Sequence, residues 1–309
     1  MRYYLANNTL IVRGAFRACS TGEGGGIGNV TSLLIHPVDP LNPPDNKQVI
    51  RNAKLRNGLS PAAAFGLLIP TQFTQHAVFR YEQVTVFITA GANTRGISRQ
   101  EKYDTTDPLT EGSIRIICTI SGNLPDHDLL KALIAVNEAA VQASSGDDRI
   151  SGLDQRGIII GAEPDLTTRG DTNVNVERNI REAVRYGITY TIERLSKGSG
   201  KTGIWPSFHI HSTMGGDRWI EWQKKGCPYY PCHFKGQRCD LCYCPLYPCE
   251  DETLGEWTIG SRGRVWSCVP CTLNHQPSVV HHLQRNPEAT SSELKALILH
   301  YPHKEKPGE

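Results

Sequence analysis

Eight of the ten cysteines of this chain crowd into residues 227–271, spaced Cys227-x4-Cys232-x6-Cys239-x2-Cys242-x1-Cys244-x4-Cys249 and, after eighteen residues, Cys268-x2-Cys271. No other feature restricts the fold so strongly. A C-x2-C turn lets two thiolates converge on one ion while nearby amides hydrogen-bond the sulfurs, so Cys239 and Cys242 with Cys268 and Cys271 can complete a tetrahedral four-thiolate zinc site. Cys227, Cys232, Cys244 and Cys249 then form a second set, C-x4-C twice, and the sorting of cysteines between ions stays open. An iron–sulfur cluster is the alternative, although the spacings match neither common ferredoxin pattern. Closed four-thiolate sets leave no open coordination position, which makes two structural ions the expectation. The few aliphatic residues of the segment are not expected to make a core without metal. His233 and His275 can replace a thiolate, but the simpler reading is solvent-exposed histidine or a group behind the ligands.

At 309 residues the chain is long enough for two cores. Lys and Arg total 33 against 31 Asp and Glu, a net charge of +2. That balance supplies no large basic field for phosphates, so a small-molecule partner is expected and a nucleic acid is not. The first residues lack the basic stretch and apolar run of a secretion signal, and nowhere is there an apolar run of roughly 18 residues that would span a membrane. A cytoplasmic location follows as the expectation, and in a reducing compartment a disulfide framework is the weaker reading of the cysteines. A Gly/Ser/Lys stretch at 196–203 precedes an abrupt shift toward Cys, Trp and Tyr, which sets expected domains at 1–198 and 199–309. Gly200-Lys201-Thr202 mimics the end of a phosphate-binding loop but has Leu195 where the pattern needs glycine.

From residue 1 to about 195, β-branched runs alternate with helical patterns, the signature of a layered α/β domain with a mixed sheet. Strands are expected at 9–16, 30–35, 84–89, 114–120 and 157–161. A helix is expected over 129–143, with Leu129, Leu130, Leu133, Ile134, Val136 and Val141 on its apolar face, and another over 176–195. The stretch 37–57, rich in proline and asparagine, reads as a long loop. Cys19 and Cys118 stand alone in apolar strands and read as buried packing. His209 and His211 alternate along an apparent strand, and His281-His282 reads as helix surface.

Two stretches carry candidate chemistry. Residues 21–29, TGEGGGIGN, place five glycines between two expected strands, so the amides of Gly24, Gly25 and Gly26 can approach a ligand closely; a plain hairpin connection is the competing reading. Residues 83–96, QVTVFITAGANTRG, run an apolar strand into small residues, where Thr89 and Gly91 leave room for a substrate and Asn93 and Arg95 can donate to a carbonyl.

These two features, with the strand–helix stretch EGSIRIICTISGNLPDHDLLKALIAVNEA at 111–139, resemble the adenosylcobinamide amidohydrolase family, whose members carry a strand ending in T-A-G-x-x-N. The segment CPYYPCHFKGQRCDLCYCPLYPC with VWSCVPC is similar to the cysteine-rich small domain fused to archaeal versions of that enzyme. The resemblance implies hydrolysis of the amide joining aminopropanol to the corrin ring of adenosylcobinamide, giving adenosylcobyric acid for cobalamin salvage. Such a step needs an activated water, donors for the oxyanion and a proton for the leaving amine. On that basis Glu23 or Glu138 is the expected base, Asn29 and Asn93 the donors and Asp154 an orienting carboxylate. Residues 94–98 and 147–157 depart from the family pattern, which keeps a non-catalytic corrinoid-binding protein as one alternative. A zinc-knuckle nucleic-acid module, with its tyrosines and tryptophans stacking on bases, is the other.

Overall fold

Asn7 and Asn8 occupy the left-handed region, at φ 46° and 56°. A two-residue hairpin turn requires that backbone, and asparagine tolerates it better than most residues. The turn joins β1 (Arg2–Ala6) to β2 (Thr9–Ser20), which turns again into β3 (Gly26–Val38). The structure, a computed structural model, describes residues 1–39, 45–71, 73–93, 111–144, 157–163, 175–196, 208–212, 220–221, 230–239, 241, 244, 246, 249–260, 263–286 and 288–300. The chain divides into two compact units between Glu221 and Trp222.

The first unit continues through α1 (Asn46–Arg56), β4 (Ala64–Pro70), β5 (Phe73–Tyr81), β6 (Val84–Asn93) and β7 (Glu111–Ser121). Then come α2 (Asp126–Ser144), β8 (Gly157–Glu163), α3 (Val176–Ser196), β9 (Phe208–Ser212) and β10 (Ile220–Glu221). One mixed sheet runs β10-β9-β5-β6-β7-β8-β2-β3-β4, with β1 beside β2. Every strand and helix expected from periodicity is present. β9 and β10 extend the sheet with residues beyond the composition change near 200, so the unit closes later than that change.

Strand alternation sorts the sheet into two faces. Val86 and Ile88 of β6, Ile116 and Cys118 of β7 and Ile158 and Ile160 of β8 pack under α2 and α3 in the main core. On α2 the buried stripe is Leu129, Ala132, Ala135, Val136, Ala139 and Ala140, whereas Leu130, Ile134 and Val141 stay 47%, 54% and 42% exposed. The expected apolar face is therefore rotated. Alanines face inward because their small side chains let α2 come close to both the sheet and α3, and the larger aliphatics are left on the outer surface. α1 corrects the expected loop over 37–57. Asp45 caps it by accepting from the Lys47 amide at 3.1 Å, and Ile50 and Ala53 bury against the sheet. The surrounding prolines and asparagines mask this short amphipathic stretch.

Gly187 of α3 sits on the side chains of β5 and β6, where an added Cβ would stand 2.7 Å from both Ile88 Cδ1 and Phe79 Cδ2. Phe79 is fully buried, edge-on to Tyr186 and Tyr190 at 5.8 and 5.9 Å. Gly187→Ala is expected to lower stability by about 1–3 kcal/mol through overpacking, despite the ~1 kcal/mol that alanine gains in a helix interior. Urea unfolding checks this, and an unchanged or raised midpoint contradicts the close approach.

The second unit contains the hairpin β11 (Glu256–Gly260) and β12 (Gly263–Ser267), with Trp257 edge-on to Trp266 at 5.3 Å, followed by α4 (Pro277–Arg285) and α5 (Ser291–His300). α5 opens with a reciprocal cap, in which the Thr290 amide donates to Glu293 Oε2 at 2.6 Å and the Glu293 amide donates to Thr290 Oγ1 at 3.3 Å. Leu273, Val279, Leu283, Ala289 and Leu294 gather with Leu241, Leu246, Leu254 and Cys271 into a small core. The unit thus has more apolar interior than its cysteine segment suggests, because α4 and α5 add aliphatics beyond residue 271. His281 lies exposed on α4.

Candidate active site and metal centre

The sheet face turned away from α2 and α3 carries buried polar groups in one row. His76, Thr89, Arg115 and Gly157 are register partners across β5, β6, β7 and β8, so they share that face. Thr89 is fully buried and its Oγ1 lies 3.0 Å from His76 Nδ1. His76 is 5% exposed, and burial pushes its imidazole down to about 4, leaving it neutral near pH 7. Arg115 is 7% exposed; its Nε donates to the Leu68 carbonyl at 2.6 Å and its Nη1 to the Ile114 carbonyl at 3.0 Å. Burial lowers its pKa to about 10, and it remains a cation at any physiological pH.

The sheet curls to build this place. Four steps separate β4 from β7 in strand order, yet β4 lies over β7 and β8. A Cβ on Gly157 would stand 2.7 Å from Arg115 Cδ and 2.9 Å from Leu67 Cδ2, and one on Gly22 would stand 2.2 Å from the Gly66 carbonyl. On β6 a Cβ at Gly91 would meet Thr71 at 2.4 Å. Glycine is needed at these points because backbone or a neighbouring strand's side chain already fills the space.

The glycine-rich run forms the β2–β3 hairpin turn at one end of this site. Gly25 donates to the Gly22 carbonyl at 2.9 Å and the Gly22 amide donates to Ser20 Oγ at 3.1 Å, with Gly24 and Gly26 at φ 68° and 117°. Gly26 and Asn29 already belong to β3, paired with Ser20 and Arg17. Glu23 stands exposed in the turn, 3.9 Å from Lys47.

The sequence-predicted residues are only partly brought together. Thr89 and Gly91 share the polar face, and the turn bearing Glu23, Gly24 and Gly25 closes at the same end as Gly157. Asn29 falls on the helix side, where Arg17 donates to it at 3.4 Å and also grips Asp126 at 2.6 Å. Glu138 points outward from α2 and pairs with Arg181 of α3 at 2.5 Å. Asn93 ends β6 opposite Glu111. Arg95 and Asp154 lie outside the described residues. Arg115 and His76 were not singled out by sequence reasoning, although an arginine inside the run IRIICTI is itself the signal, since a strand buried on both faces has no ordinary use for a cation. Cys19 and Cys118 are buried as expected; burial raises the Cys19 thiol to about 11 and pushes Cys118 up as well.

In the second unit six of the predicted ligands are described, and none of them is in a disulfide: Cys232, Cys239, Cys244, Cys249, Cys268 and Cys271. Cys227 and Cys242 lie outside the described residues. Among the described residues no group of three or more His, Cys, Asp or Glu side chains converges as a metal site would. The sulfurs nevertheless group in a definite way. Gln237, 1% exposed, donates Nε2 to Cys232 Sγ at 3.2 Å and Cys239 Sγ at 3.4 Å, while its Oε1 accepts from the His233 and Phe234 amides. Cys244 is raised to about 12 by burial and, secondarily, by the nearby Cys271, Cys268 and Cys249. Cys271, Cys268 and Cys249 are thus close enough to Cys244 for their charges to act on it. His275 is buried rather than exposed, with Nδ1 at 2.7 Å from the Arg238 carbonyl and its ring 4.6 Å from that of His233.

A family model described as adenosylcobinamide amidohydrolase matches residues 4–158, half of the chain. The chain belongs to that family. A second model, cysteine-rich small domain, matches residues 218–297. An adenosylcobinamide amidohydrolase of Methanosarcina mazei is 31% identical over 140 residues, covering 45% of this chain and 65% of the relative. An uncharacterized protein of Methanocaldococcus jannaschii is 50% identical over 62 residues, 20% of this chain and 52% of that protein. A probable cobalt-factor III C(17)-methyltransferase of Methanothermobacter thermautotrophicus is 52% identical over 63 residues, 20% of this chain and 17% of that one. In each case the aligned part is less than two thirds of the relative's own length. The amidohydrolase match covers β1 to the start of β8, and so includes His76, Thr89, Arg115, Gly157 and the glycine turn. No described helix of this family member is long and apolar enough to cross a membrane.

Proposed function

We propose that the chain hydrolyses the amide that joins aminopropanol to the corrin side chain of adenosylcobinamide, releasing aminopropanol and adenosylcobyric acid in cobalamin salvage. The family match over residues 4–158 carries this reading. The buried polar row on the sheet face turned away from α2 and α3 supports it, because amide hydrolysis needs hydrogen-bond donors held out of bulk water before charge develops. Within that picture Glu23 is the carboxylate best placed to activate water, since Glu138 is engaged with Arg181 on the far layer. Asn93 remains a proposed donor and Asp154 a proposed orienting carboxylate. The sulfurs of the second unit are suited to a thiophilic ion, and zinc, with a structural role, is the proposed occupant. A cytoplasmic setting fits cysteines that are not in disulfides.

Incubating the purified chain with adenosylcobinamide and assaying aminopropanol tests the reading. Stoichiometric release is the expected result. Tight corrinoid binding without release would replace the enzyme with a carrier.

A further inference from the structure

Arg115 is a buried cation whose partners among the described residues are two backbone carbonyls and no carboxylate. A guanidinium carries five N–H donors, and the Leu68 and Ile114 carbonyls engage only Nε and Nη1. Removing a charge from water without a counter-ion costs several kcal/mol even after relaxation. The fold holds the group firmly: Gly157 leaves room on one side, Thr89 stands on the other, and the carbonyl on Nε fixes the plane of the fork. Thr89 in turn is held by His76. Among the described residues this arrangement is a rigid, largely buried cationic fork with no carboxylate on it.

We propose that Arg115 binds the acyl oxygen of the scissile amide and, after cleavage, the carboxylate of the product, with Thr89 and His76 as positioning residues. The proposal rests on the amidohydrolase reading. Water adds to the carbonyl carbon, the carbonyl π pair moves onto oxygen, and the guanidinium donates to that oxyanion. Collapse breaks the C–N bond, a proton passes to the departing amine, and the acid is left as a carboxylate paired with the fork. Water and amide thus become carboxylate and ammonium, with no other reactant. A planar fork suits this sequence better than an ammonium, because the tetrahedral oxyanion and the planar carboxylate can share its donors.

The test uses the full chain, its Arg115→Met and Arg115→Lys variants, adenosylcobinamide, adenosylcobyric acid, and the methyl ester at the carboxyl freed by hydrolysis. The wild type should bind the acid at least ten times more tightly than the ester. In Arg115→Met that preference should vanish and kcat should fall by about 10²–10³-fold, the usual effect of losing one oxyanion donor. Arg115→Lys keeps the charge, so it should retain most of the acid-over-ester preference while kcat stays well below wild type. Equal binding of acid and ester by the wild type would overturn the proposal whether or not the methionine variant folds. So would wild-type kcat in either folded variant. Absence of turnover by the wild type would sink the amidohydrolase reading itself, whereas turnover unchanged by Arg115→Met would sink only the role of Arg115.

Discussion

Stripping metal with a chelator is expected to unfold residues 222–309 while the ten-stranded sheet of the first unit persists. Zinc bound by cysteine clusters supplies on the order of 10–16 kcal/mol of apparent binding energy near pH 7, and in a small unit that energy is folding energy. The aliphatic cluster around Leu273, Val279, Leu283 and Leu294 is too small to replace it. Cys244→Ser and Cys268→Ser should each have the same effect as chelation if both sulfurs hold the ion, as the cysteine spacing leads one to expect. Indole NMR signals of Trp257 and Trp266, packed 5.3 Å apart, report the result directly. Dispersed signals surviving in metal-free protein would show that α4, α5 and the hairpin hold without an ion.

Acid should destabilise the first unit before its carboxylates titrate. The neutral form of His76 is favoured by burial, with a folded pKa of about 4 against an ordinary value near 6.5. Between those values the unfolded chain takes up a proton that the folded chain refuses, so stability present above pH 6.5 is lost as pH falls toward 4. The loss from this residue is about 3 kcal/mol at 1.36 kcal/mol per pKa unit. His36 and His275 are shifted in the same direction, so the contribution of His76 is isolated by comparison with His76→Gln. Urea midpoints at pH 7 and pH 4.5 should fall together far less in the variant than in wild type. Equal losses in both proteins would mean that the imidazole is already protonated or solvated in the folded state. Asp126 and Asp251, both held below the usual carboxylate range by their cationic partners, act only at lower pH.

The strands around residues 84–89, 114–120 and 157–161 were legible because isoleucine and valine alternate or run together where a sheet is buried on both sides. α1 was not, since Asp45 and a single buried face around Ile50 and Ala53 lie among loop-forming residues. The inward face of α2 was misjudged for a different reason: hydropathy weights Leu130 and Ile134 above alanine, whereas close packing of helix on sheet selects Ala132, Ala135 and Ala139. The apolar strand that carries Thr89 and Gly91 was readable from its run into small residues. Which predicted residues share a face was not, because that depends on the register of distant strands. Asn29 and Glu138 sit with the helices for this reason, and Arg115 reaches the Leu68 carbonyl only because β4 folds over β7 and β8. The cysteine spacing marked a cysteine-rich unit without ordering its sulfurs; Gln237, joining Cys232 to Cys239, has no counterpart in any spacing rule.

Hydrolysis in water enriched in oxygen-18 tests the central claim most directly. Adenosylcobinamide incubated with the full chain should yield a corrinoid acid carrying one labelled oxygen in its new carboxylate, together with unlabelled aminopropanol. Recovery of intact adenosylcobinamide, or of an acid without label, would contradict it.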